Sequence, residues 1–149
     1  MATAQPAYNP ETTLEIRRTF KAPREKVFAA WTKAEGLSQW HAPTPEHKAQ
    51  AQVDLRVGGK YRIKITHAKG AVHTAVGVYR EIIEPEKLVY SWSWEDGSVT
   101  DTLVTVDFHD RGGATEVVLT HEFMPDQEWR DKHAQGWTGC LAALENYLG

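Results

Sequence analysis

Cysteine is almost absent: Cys140 is the only one in 149 residues. A single thiol excludes an internal disulfide and any zinc cluster built on cysteines. Positive charge is not concentrated either. Seventeen Lys and Arg face twenty Asp and Glu, for a net charge of -3 with no basic block, so the electrostatic footprint of a nucleic-acid binder is missing. No apolar run reaches the roughly 18 residues of a membrane span. The opening MATAQPAYNPETT has neither the basic start nor the apolar core of a signal peptide, and a cytoplasmic protein is expected. No H-E-x-x-H, G-x-S-x-G, Walker A or G-x-G-x-x-G sequence occurs, so no catalytic set, no metal and no cofactor is implied. Repeats, low-complexity tracts and linkers are missing too. One domain over residues 1–149 is expected, with residues 1–12 as a loosely ordered lead-in.

What the chain does have is tryptophan, six of them: Trp31, Trp40, Trp92, Trp94, Trp129 and Trp137. An indole is large and needs a partner for its N–H when buried. Several in a small domain either fill the core or line a cavity for apolar or aromatic ligands, and core filling is the plainer reading. Hydrophobic content of 41% and charged content of 25% are ordinary for a globular chain. A chain of this length buries roughly 68–70% of its unfolded surface, enough for a sizeable core.

The longest helical period runs from Asp126 to Leu148. Trp129, His133, Trp137, Cys140, Leu141, Leu144 and Leu148 fall on one face at 3.6 residues per turn. Pro125 stops what precedes, and Asp126 suits the N-cap. Cys140 lies on this stripe and reads as a small buried hydrophobe rather than a reactive thiol. Such a helix needs a sheet to lie on, with a pocket between them. Earlier in the chain, Leu14, Ile16 and Phe20 alternate with polar residues as a half-buried strand, with Arg18 on the apolar side. Pro23 then opens a short helix burying Val27, Phe28 and Trp31, and a second runs from Glu35 to Trp40 before the loop HAPTPEH. From there the chain reads as antiparallel strands: Ala49–Leu55, a row of Tyr61, Ile63 and Ile65, Ala71–Ile83, and a row of Leu88, Tyr90, Trp92 and Trp94. Val104, Val106 and Phe108 form the next inward row, and Val117, Leu119, His121 and Phe123 the last. The Gly58-Gly59 and Gly112-Gly113 pairs sit at hairpin turns.

Local motifs add to this order. Phe20-Lys21-Ala22-Pro23-Arg24-Glu25-Lys26-Val27-Phe28, Leu37-Ser38-Gln39-Trp40 with Ala42-Pro43, and Asp54-Leu55-Arg56-Val57-Gly58-Gly59 stand in sequence. Glu84-Pro85 through Trp92, Val104–Phe108, and Gly136-Trp137 with Leu141, Leu144 and Leu148 complete the set. Together they resemble the family named after the activator of the heat-shock-protein-90 ATPase, in its small stand-alone form, over about Leu14 to Leu148. That family lies within the superfamily of START and birch-pollen-allergen domains. The resemblance implies an α+β helix-grip fold: a curved seven-stranded antiparallel sheet wrapped around a long C-terminal helix, with two short helices after strand one. It also implies a cavity for a small apolar or amphipathic molecule. The eukaryotic co-chaperone carries an additional N-terminal domain that stimulates the ATPase. This chain has no room for that domain before its first strand, so co-chaperone activity of that kind is not expected.

The candidate lining of such a cavity is Tyr61, Trp92, Trp94 and Phe108, which alternate with polar residues on their strands, together with Trp40 and Trp137. For each, a purely core role is the alternative. Arg18 and His121 fall on apolar sides of strands that are neighbours in this fold. A buried guanidinium is costly unless paired; Glu122, Glu145 or an acidic ligand group could serve. His133, one turn before Trp137, is placed either at the cavity mouth or as a satisfied polar histidine. Among seven histidines, only His67 and His73, flanking one hairpin turn, could face each other as a pair of metal ligands, and ordinary polar histidines are the plainer reading. Three functions follow: a binding or carrier protein for a small hydrophobic or aromatic molecule; a protein-interaction module, with a chaperone or a stress-linked complex as partner; or an enzyme of the polyketide cyclase or aromatase type using Arg18, His121 and Tyr61. No catalytic dyad is legible. Monomer and homodimer are both compatible with the sequence.

Overall fold

In the computed structural model, residues 9–42, 44 and 46–149 are described. The expected loose lead-in through residue 8, and Pro43 of the helix-loop motif, lie outside the described residues.

The alternating segments form seven strands: β1 (Leu14–Phe20), β2 (Lys48–Val53), β3 (Lys60–Thr66), β4 (Val72–Ile83), β5 (Lys87–Trp94), β6 (Thr102–Asp110) and β7 (Thr115–Glu122). They pair antiparallel in one sheet, in the order β1-β7-β6-β5-β4-β3-β2. β1 and β2 follow each other in sequence yet occupy opposite edges of the sheet. The chain between them therefore has to cross it, and α1 (Arg24–Thr32) and α2 (Ala34–Trp40) make that crossing. The helix α3 (Gln127–Leu148) closes the chain, with the Asp126 side chain accepting from the Trp129 N–H at 2.9 Å. Its buried residues are His133, Trp137, Cys140, Leu141, Leu144 and Leu148, the face expected from the period. This is the α+β helix-grip arrangement.

Aromatic packing ties the crossing helices to the sheet. Trp31 of α1 is buried against Trp40 and Phe108, with ring centroids 4.6 and 5.6 Å away, and its Nε1–H donates to the Tyr90 hydroxyl at 3.1 Å. Edge-to-face geometry of this kind adds to plain area burial. Tyr61 on β3 donates its hydroxyl to the Ser91 carbonyl at 2.6 Å. That bond depends on Gly77, which pairs with Tyr61 across the ladder. A Cβ there would lie 1.9 Å from the Ser91 oxygen and 2.6 Å from Tyr61 Cε2.

Two boundaries differ from the sequence expectation. β2 ends at Val53, and Leu55 is exposed in the turn that Gly58 closes with a φ of 86°. At the other end of the sheet, Phe123 does not continue the inward row of β7. It takes a φ of 69° and is 59% exposed, while Met124 is buried and its N–H donates to the Thr12 carbonyl. A left-handed residue breaks the two-residue alternation, so the next side chain turns inward in its place.

Candidate functional site

α3 does not seal against the whole sheet. Between its first four turns and the strands β3, β4 and β5 lies a cavity of about 470 Å³. Its buried lining is His41, just past α2, with Ile65 of β3, Trp92 of β5, and His133, Trp137 and Cys140 of α3. Gly136 adds a gap in the helix face, since a Cβ placed there would meet nothing within 4 Å. Half-buried and exposed side chains complete the boundary: His67, His73, Trp94, Asp96, Ser98, Trp129 and Lys132. The cavity therefore has indole walls, with its charged groups at the exposed side.

The sequence-picked residues divide between this cavity and the surrounding core. Trp92, Trp94, His133 and Trp137 border it. Trp40 is fully buried behind it, donating Nε1–H to the Ala30 carbonyl at 2.9 Å. Tyr61 and Phe108 are buried in the core, Tyr61 held by Ser91 and Phe108 edge-on to Phe28 at 5.3 Å. Arg18 lies on the edge strand β1 and pairs with Glu145 of α3, with side chains 31% and 57% exposed. His121 sits one layer behind the wall. Sequence reasoning missed His41, Ile65, Trp129, Lys132, Gly136 and the turn residues Asp96 and Ser98, and it read Cys140, His67 and His73 in other roles than lining. Gly136 and Trp129 were accessible to it: they share the α3 stripe with His133, Trp137 and Cys140, and a glycine on an apolar stripe marks a hollow.

His121 is completely buried with both ring nitrogens in use. Trp137 Nε1–H donates to His121 Nδ1 at 3.0 Å, which leaves the proton on Nε2 to meet Thr102 Oγ1 at 2.8 Å; Thr102 in turn donates to the Trp92 carbonyl at 2.6 Å. His133 is fixed in the opposite tautomer, accepting from Trp94 Nε1–H at 2.9 Å and placing Nδ1 2.8 Å from the Trp129 carbonyl. The two histidines thus orient two of the cavity's indoles, Trp137 and Trp94. Burial pushes the His121 ring well below the ordinary histidine range and lowers His133 as well. His41 is pushed down to about 3 by burial alone, and burial drives the Cys140 thiol up to about 12. At neutral pH these three histidines are held uncharged. Cys140 is no thiolate, and Tyr61, raised by burial, is no phenolate.

At the exposed side three imidazoles run in a chain. His47 Nε2 lies 2.5 Å from His67 Nδ1, and His67 Nε2 lies 2.7 Å from His73 Nδ1. His67 and His73 do face each other, and His47 joins them. Because His67 spends one nitrogen on each neighbour, the three do not converge on a point. Among the described residues no group of three or more His, Cys, Asp or Glu side chains is arranged to hold a metal ion.

Residues 21–149 match the family described as Activator of Hsp90 ATPase homolog 1-like protein. Among solved structures, a Chromobacterium violaceum protein superposes with a TM-score of 0.85 at 24% identity, covering 92% of this chain and 96% of that one. A Rhizobium leguminosarum protein gives 0.78 at 29% identity, covering 93% and 94%. An AHSA1 protein from Silicibacter pomeroyi gives 0.81 at 24% identity, covering 91% and 96%. These likenesses carry the fold. No curated protein matches the chain at a significant level. Among the described residues no helix is long and apolar enough to cross a membrane.

Proposed function

The chain belongs to the Activator of Hsp90 ATPase homolog 1-like family, and on that footing we propose that it binds a small hydrophobic, aromatic molecule between sheet and helix. It serves as a binding or carrier protein for that molecule. The observation that carries this reading is the cavity of about 470 Å³ walled by Trp92, Trp94, Trp129 and Trp137. Ligand sites in proteins are typically concavities of ~300–1,000 Å³ with apolar and aromatic walls and a few polar groups. Unfilled apolar volume loses dispersion contacts on every wall, and a flat aromatic guest restores them. Neutral imidazoles and a protonated thiol make the interior compatible with an uncharged guest and leave it without a nucleophile or a poised general base. Binding rather than turnover fits that chemistry.

Gly136→Leu supplies the test. The added side chain enters open space in the cavity, so it competes with a ligand without disturbing the packed core. Titrated with the neutral fluorescent probe N-phenyl-1-naphthylamine, the wild-type protein is expected to enhance the probe's emission saturably. Gly136→Leu is expected to weaken binding at least about tenfold, a loss of about 1.4 kcal/mol, while remaining folded. Equal binding by the two proteins, or no binding by either, would remove the cavity from the account.

A further inference from the structure

We propose that the cavity selects a neutral, hydroxyl-bearing aromatic molecule, whose hydroxyl accepts from the Trp92 indole N–H and pairs with the His41 ring. The inference rests on the ligand-binding reading above and narrows its ligand class. Its basis is an asymmetry among the indoles. Trp31, Trp40, Trp94 and Trp137 each give their N–H to an acceptor: the Tyr90 hydroxyl, the Ala30 carbonyl, His133 and His121 respectively. Trp92 is buried to 4% exposure, and its Nε1 has no hydrogen-bond partner among the described residues. His41 is 2% exposed, and both of its ring nitrogens are likewise unpartnered among the described residues. These are the buried side-chain polar atoms left without a bond there, and both residues border the same cavity. Their rings lie 6.2 Å apart, 28° from parallel. Buried polar groups are almost always bonded, so orphaned nitrogens just beneath the wall, on two residues that border one cavity, point to a partner that a small turn of either ring would let them reach.

Donor and acceptor arithmetic then restricts the guest. The Trp92 N–H only donates; a neutral imidazole offers one donor and one acceptor. A hydroxyl has one donor and two acceptor sites, so it can meet both residues at once. A hydrocarbon meets neither. A carboxylate would bring a charge beside a His41 ring that burial keeps neutral, and the lysine of the lining, Lys132, is at the exposed side over the Trp129 ring. The aromatic body of the guest follows from the walls, where Trp92 and Trp137 centroids are 5.3 Å apart.

Three two-ring probes separate the possibilities: 2-naphthol, naphthalene and 2-naphthoate, compared by equilibrium dialysis at pH 7.5 with the full chain. The expected result is that 2-naphthol binds about tenfold more tightly than either of the others, and that it shifts the Trp92 indole resonance of ¹⁵N-labelled protein downfield. Naphthalene should leave that resonance without the downfield shift. In Trp92→Phe and His41→Phe the preference for naphthol over naphthalene should shrink to about threefold or less. Should naphthol and naphthalene bind the wild-type protein equally, the orphaned groups serve water or nothing, and this inference is overturned while the cavity reading stands. Tighter binding of naphthoate overturns it in favour of an acidic guest. If none of the three binds, both readings fall together. The wild-type comparison decides the matter even if a variant does not fold.

Discussion

His121 and Arg18 show how differently two polar residues on apolar strand faces are accommodated. His121 is buried within a bonded chain that runs from the Trp137 indole through Thr102 to the Trp92 backbone. Replacing Thr102 by Val leaves the ring N–H and a carbonyl without their partner, and an orphaned buried group costs about 1–3 kcal/mol. Thr102→Val should therefore lower the urea-unfolding free energy by that amount. Arg18, on the edge strand β1 and pairing with Glu145 with both side chains partly exposed, sits in the range where ion pairs contribute about 0–1 kcal/mol. Arg18→Ala should change stability by less than about 1 kcal/mol, and the same urea titration measures it. Sequence alone places both residues on inward faces, because alternation reports direction. It cannot report which strand ends at the edge of the sheet, and that is what separates the His121 ring on β7, flanked by β1 and β6, from the guanidinium on the edge strand β1.

At the scale of elements, α3 both completes the core and leaves the hollow. Leu141, Leu144 and Leu148 in its second half pack down, while Gly136 withholds a side chain beside Trp137. Gly136→Leu should stabilise the protein by about 0.5–1 kcal/mol through helix propensity, visible as a raised melting temperature, at the same time as it weakens probe binding. A variant that is both more stable and less able to bind would show that the glycine is kept for the cavity rather than for the fold. The strands and helices were legible because strict two- and 3.6-residue periods fill them. Phe123 was misplaced because one left-handed residue shifts the alternation by a step. The cavity was legible where it is built from periodic elements, at Trp92, Trp94, His133 and Trp137. His41, Asp96 and Ser98 come from connecting segments, where no period exists to aim a side chain, and Trp40 and Phe108 share faces with the lining yet lie behind it.

For the whole molecule, the buried histidines set the response to acid. A histidine whose folded pKa is depressed adds nothing to stability above the unfolded value near 6.5. Below it the unfolded chain takes up a proton that the folded chain refuses, and stability falls until the folded group itself titrates. His41, pushed down to about 3, and His121, also held well below its ordinary range, should together steepen the loss to about 2.7 kcal/mol per pH unit as pH approaches 5. His133 acts in the same direction. Urea midpoints should be flat from about pH 8 to 7 and drop from 6.5 to 5, above the range in which ordinary carboxylates titrate. His41→Phe should lower that slope by about 1.4 kcal/mol per pH unit, half of the share that His41 and His121 contribute. Whether the hollow under α3 holds a guest is most directly read by native mass spectrometry of the protein purified from its own host, against the denatured mass. An additional small-molecule mass is expected on the wild-type protein, released on unfolding and missing from Gly136→Leu prepared in parallel. A wild-type mass equal to the bare chain, indistinguishable from that variant, would contradict it.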